Sequence, residues 1–139
     1  MTPNRIALIR STFAPLAADP DGVAQAFYAR LFTIAPQLRA LFPLEMAGQR
    51  GKLMTMLGAA IGLLDKPDLL VQALQALGRR HVVYHVRDEH YELVGAALLD
   101  ALATGLGDAF TPEVRAAWTE FYGVAAYTMK LGAAQVAAA

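Results

Sequence analysis

The sequence predicts an all-α chain of about seven helices, and three observations carry that prediction. Alanine supplies 28 of the 139 residues, β-branched residues rarely cluster, and prolines and glycines cut the chain into segments of helical length. Ile6, Ile9, Phe13 and Leu16 recur at helical spacing and form the first segment. Asp19-Pro20 reads as an N-cap and a first helical position, ahead of a stripe of Val23, Phe27 and Leu31. Pro36 opens a short helix that Pro43 stops. Leu53, Leu57, Ile61 and Leu64 define a fourth helix, and Pro67 opens a fifth with Leu70, Ala73, Leu74 and Leu77 expected inward. Asp88 is expected to cap a sixth, which carries Tyr91, Val94, Leu98 and Leu102 and ends at Gly105 and Gly107. Thr111-Pro112 opens the last, with Trp118, Phe121, Tyr122, Ala125 and Met129 on related faces.

The length fits one domain, residues 1–139, with a sizeable core; the small, weakly apolar stretch 133–139 is expected to fray. A hydrophobic content of 56% and a mean hydropathy of +0.37 raise the question of a membrane protein. No stretch reaches the roughly 18 uncharged apolar residues that a spanning helix needs. The longest, Leu53 to Leu64, runs into Asp65 and Lys66, and Arg5 and Arg10 interrupt any N-terminal signal core. An internal apolar cofactor would account for part of the excess, and alanine for much of it. Twelve basic residues balance twelve acidic ones with no basic run, which argues against a nucleic-acid surface. The absence of cysteine removes disulfides, thiolate zinc sites and cysteine nucleophiles, and fits a reducing cytoplasm.

Chemistry-bearing residues are few. The glycines follow no phosphate-loop pattern, and the single serine, Ser11, has no neighbouring histidine. Histidine occurs only at positions 81, 85 and 90. His81 and His85 stand four apart, so a continuing helix would put both on one face; zinc would need further ligands, and His-Glu-x-x-His is absent. By spacing alone His81 is a helix-end histidine whose charged form the macrodipole favours. It also completes the apolar face of Leu70, Ala73, Leu74 and Leu77, which would let it present a neutral nitrogen to a dry pocket. A five-coordinate heme iron takes such a ligand.

Several segments, in this order and spacing, resemble the bacterial single-domain globins, a group similar to the heme domain of flavohemoglobins and, more distantly, to neuroglobin. They are Phe27-Tyr28-Ala29-Arg30-Leu31-Phe32, Leu41-Phe42-Pro43, Leu77-Gly78-Arg79-Arg80-His81, His90-Tyr91 with Leu93-Val94-Gly95, and Trp118 through Tyr122-Gly123-Val124-Ala125. The resemblance spans about Ile6 to Met129 and implies a globin fold enclosing heme b, iron protoporphyrin IX. It implies that His81 is the proximal ligand and Phe42 the ring wedged against the heme. Tyr28 and Gln49 would be the distal hydrogen-bonding pair, and Leu53 would wall the distal pocket. Lys52 would reach a propionate, with Arg79, Arg80 and His85 as further candidates. Leu57, Leu77, Val86 and Val94 would pack on the heme.

Two donors over bound O2, which carries partial negative charge, imply tight binding and slow release. Each would contribute about 1–3 kcal/mol. The relatives' oxidation of nitric oxide to nitrate is the reaction this implies, with O2, NO and CO as ligands. Two departures qualify it. Flavohemoglobins continue into a flavin and nicotinamide reductase, so turnover here implies a separate reductase. They also place a glutamate behind the proximal histidine, beside the tyrosine that Tyr91 matches. That position falls on or near Ala133, so the imidazole should be less anionic. The alternatives are a gas or redox sensor, an oxygen store, and a heme-free globin fold acting as an interaction module.

Overall fold

A computed structural model describes residues 1–138, with side chains described to residue 136. Six α-helices follow in order: α1 Pro3–Ala17, α2 Pro20–Ile34, α3 Ala47–Gly62, α4 Pro67–Val83, α5 His90–Leu106 and α6 Pro112–Ala138. The short helix expected after Pro36 is a tighter 3-10 helix, Pro36–Leu41, and a further 3-10 turn spans Gly107–Ala109. No strand occurs among the described residues, so the all-α expectation holds.

The boundaries follow from local chemistry. Asp19 caps α2 by accepting from the Gly22 N–H at 3.3 Å, and Thr111 caps α6 by accepting from the Val114 N–H at 3.3 Å. Thr2 does the same for α1 through the Arg5 N–H. Asp88 does not cap α5. That helix starts two residues later, and the His90 ring accepts the Arg87 N–H at 3.0 Å. Gly107 ends α5 with φ of 55°, a left-handed conformation that costs glycine little. Leu64 lies two residues beyond α3 but is buried, and Ala73, expected inward, is exposed on α4. α6 continues through Ala138, across most of the stretch expected to fray; Ala139 lies outside the described residues.

One hydrophobic core gathers residues from all six helices, with Trp118, Ile9, Leu31 and Leu102 its largest fully buried side chains. The Trp118 indole N–H is satisfied at its centre by the Thr12 hydroxyl, 2.9 Å away. The closest helix packing joins α4 to α6. A methyl carbon on Gly78 would stand 1.9 Å from the Met129 carbonyl oxygen, and one on Gly132 would stand 2.1 Å from the Gln75 carbonyl oxygen. Backbone therefore lies directly on backbone at both points, which only glycine permits. α5 is held to α6 in a related way: the Tyr122 ring covers Gly95, and its hydroxyl donates to the Tyr91 carbonyl.

Because backbone cannot retreat as a side-chain tip can, Gly78→Ala and Gly132→Ala should each destabilise the protein by at least about 2 kcal/mol in urea unfolding. Gly51→Ala, in an exposed part of α3 with nothing within 4 Å, should instead stabilise it by about 0.5–1 kcal/mol. Equal effects at the three positions would show that the close approach of α4 and α6 is not obligatory.

Candidate functional site

α4 delivers His81 in its last turn, three residues after the Gly78 contact. The His81 Nδ1–H donates to the Leu77 carbonyl at 2.8 Å, a carbonyl one turn back in the same helix. That bond fixes the tautomer and leaves the Nε2 lone pair uncommitted. Burial holds the imidazole pKa below its usual value; the Leu77 bond opposes this, and the Arg80 charge adds to it. The ring is therefore neutral near pH 7, with a lone pair that can ligate a metal. His85 does not share its face. The helix ends at Val83, and His85 sits exposed in the following turn with φ of 65°, so a continuous helix through both histidines is ruled out. No group of three or more His, Cys, Asp or Glu able to hold a metal ion occurs among the described residues.

α2 and α3 bring the expected polar pair together. The Gln49 amide Nε2 donates to the Tyr28 hydroxyl oxygen at 3.1 Å, across 21 residues of sequence. Accepting that bond leaves the Tyr28 O–H free to donate elsewhere. Tyr28 is only 6% exposed, and burial raises its pKa while the Gln49 bond lowers it. Phe42 meets the Tyr28 ring edge-on at 5.4 Å between centroids, and Phe32 closes the cluster at 5.4 Å from Phe42 and 5.9 Å from Tyr28. Lys52 is exposed one turn beyond Gln49.

Phe42, Leu53, Leu57, Leu77, Val86 and Val94 share one property: each packs against the core but remains only partly buried. Half-covered apolar side chains, a neutral histidine nitrogen and a polar tyrosine–glutamine pair suit a flat apolar group that carries a metal. Tyr91 is buried, and its ring lies 5.4 Å from the Lys130 ammonium, while the Asp88 carboxylate adds to burial in raising its pKa. Arg79 donates to Gln135 of α6 at 2.8 Å and so faces that helix.

Arg39 carries no periodic or motif signal and is not anticipated from the sequence. Its guanidinium donates to three successive carbonyls, those of Phe42, Pro43 and Leu44, at 3.3, 2.9 and 3.2 Å, and lies 5.4 Å over the Phe32 ring. Arg39 thus fixes the segment that presents Phe42.

An all-helical fold with this histidine and this tyrosine–glutamine pair defines a class. The chain belongs to the globin family, whose model matches residues 25–129. Among curated relatives, a flavohemoprotein of Xylella fastidiosa strain Temecula1 is 37% identical over 134 residues, covering 93% of this chain and 33% of the relative. A flavohemoprotein of Deinococcus radiodurans is 34% identical over 128 residues, covering 88% and 31% respectively. The chain thus spans about a third of the length of these relatives and matches their globin part. A crystal structure of a hexacoordinated heme protein from an anhydrobiotic tardigrade, at pH 4, superposes with a TM-score of 0.87 at 18% identity, over 96% of this chain and 95% of that one. At that identity it bears on the fold alone.

Two outcomes follow from the site geometry. Arg39→Met should cost about 1–3 kcal/mol in urea unfolding, since three carbonyls lose a charged donor. Unchanged stability would mean the loop holds itself. Burial raises the pKa of Tyr28, Tyr91 and Tyr122, so the fold favours the neutral phenol. The stability this provides is fully present below the ordinary value of 10.0 and is lost as pH rises through the raised folded values. Tyr28→Phe should flatten part of that alkaline loss, measured as unfolding midpoint against pH. A slope identical to that of the parent protein would contradict the burial of the Tyr28 hydroxyl.

Proposed function

We propose that this globin binds heme b with His81 as the protein ligand to a five-coordinate iron, and that it binds O2 tightly. The observation that carries this reading is the His81 ring, neutral and committed through Nδ1 to the Leu77 carbonyl, which leaves Nε2 for the metal. Globin membership and the flavohemoprotein relatives support it. The heme would supply a reducible iron that takes diatomic ligands.

The chain's own residues would do the rest. Phe42 would wedge against the macrocycle, with Arg39 holding its segment in place. Leu53, Leu57, Leu77, Val86 and Val94 would exclude water along its faces. Lys52, and less directly His85, would meet the propionates at the solvent edge. Gln49 would orient Tyr28, and the Tyr28 O–H would donate to a ligand that gains negative charge. Neither tyrosine nor glutamine is a favoured ferrous ligand, so the sixth position is proposed open in the ferrous protein.

Slow O2 release suits chemistry on O2 better than delivery of it. The proposed reaction is conversion of nitric oxide to nitrate in the cytoplasm, with electrons from a reductase partner. Leu77, a neutral acceptor behind His81, and Ala133, at or near the position where the resemblance puts a glutamate, favour oxygen binding over peroxidase-like chemistry.

The purified protein should show a Soret band that shifts on reduction and on addition of CO, and His81→Ala should lose stable heme retention. Failure to take up hemin would refute the reading, and normal ferrous spectra in His81→Ala would move the ligand elsewhere. Tyr28→Phe and Gln49→Leu should each speed O2 release by about one to two decades, measured by stopped flow. Unchanged rates in both would remove the pair from ligand contact.

A further inference from the structure

α5 and α6 leave between them an open groove of about 580 Å³ that shares only Tyr91 with the site described above. Its two walls carry opposite charge. α5 contributes Glu92 and Asp100, and α6 contributes Arg115 and Lys130. The helices run antiparallel, with Lys130 over Tyr91 and Tyr122 over Gly95. Glu92 and Lys130 therefore share one end of the groove, and Asp100 and Arg115 share the other. Among the described residues no ion pair joins the two walls; Asp100 is held instead by Arg30 of α2 at 2.7 Å. Along the same side α6 exposes Val124, Tyr127 and Leu131, spaced three and four apart on one stripe, with Tyr127 66% exposed. A contiguous apolar stripe edged by charges is a surface suited to association.

We propose that a second copy of this chain covers this face, in a two-fold dimer whose axis runs along the groove. Rotation about that direction lays α5 of each copy over α6 of the other and keeps the ends in register. Glu92 then meets the partner's Lys130, Asp100 meets the partner's Arg115, and each pairing occurs twice. An axis running across the groove would lay α5 on α5 and α6 on α6, setting carboxylate against carboxylate and cation against cation. The charge pattern thus selects one orientation of a self-complementary face. Ala96 and Gly123, both exposed and small, leave room in the groove for the partner's Tyr127 ring. The inference does not depend on heme.

Sedimentation equilibrium of the purified full chain over a concentration series tests this. A monomer–dimer equilibrium is expected. Glu92→Lys and Lys130→Glu should each weaken it by about tenfold, because each change enters a two-fold interface twice. The double reversal should restore it, since the swapped charges again meet across the interface. Tyr127→Arg should give a monomer, with far-UV circular dichroism and the unfolding midpoint confirming that each variant is folded. A chain that is monomeric throughout overturns the proposal. So does a dimer that Tyr127→Arg leaves intact, or one that the double reversal fails to restore.

Discussion

Backbone contact between α4 and α6 is the constraint on which the site depends. At Gly78 and Gly132 no side chain separates the two helices. The pair of contacts fixes both the distance and the rotation of α4, because each glycine meets a carbonyl of the other helix. His81 follows Gly78 by three residues, so its ring inherits that placement. Tyr122 then ties α6 to α5 through Gly95 and the Tyr91 carbonyl. Three helices thereby form one rigid wall. The Tyr28 side of the molecule, built from α2, the 3-10 helix and α3, is assembled differently. Its parts are an aromatic cluster, the Gln49–Tyr28 bond and the Arg39 clamp, all contacts made by side chains, which adjust more readily than backbone.

This division has chemical consequences under the proposed function. A metal ligand gains from rigidity, and His81 has it: a fixed helix, a fixed tautomer and a neutral ring. Groups that stabilise developing charge need aim more than reach, and the Gln49 bond directs the Tyr28 hydroxyl without consuming its proton. The electronic character of the histidine is set by what stands behind it. Here that is the Leu77 backbone carbonyl, a neutral acceptor. A neutral carbonyl gives the imidazole little help in shedding its Nδ1 proton.

Much of the helical frame was legible in the sequence because its signals are local. Asp19-Pro20 and Thr111-Pro112 cap helices as their side chains dictate. Asp88 failed as a cap because the helix starts two residues later, and the His90 and Tyr91 N–H groups bond the Arg87 and Asp88 carbonyls instead. His85 failed as a face-mate of His81 because the chain turns left-handed there, which spacing does not reveal. Ala73 is too small to mark an inner face, and it lies outward. The Tyr28–Gln49 pair spans 21 residues, and only the family resemblance linked them before the fold did. The meeting of Gly78 with Met129, and the Arg39 clamp, depend on tertiary geometry and leave no periodic trace.

Under the proposed function a neutral His81, bonded to the Leu77 carbonyl, ligates the iron from α4. Resonance Raman spectroscopy of the ferrous heme-loaded protein measures this bond directly. An iron–histidine stretch is expected that shifts on 15N-histidine labelling and falls at the low frequency of a neutral imidazole. A band at the high frequency of an imidazolate, or the absence of any histidine-sensitive iron stretch, would contradict it.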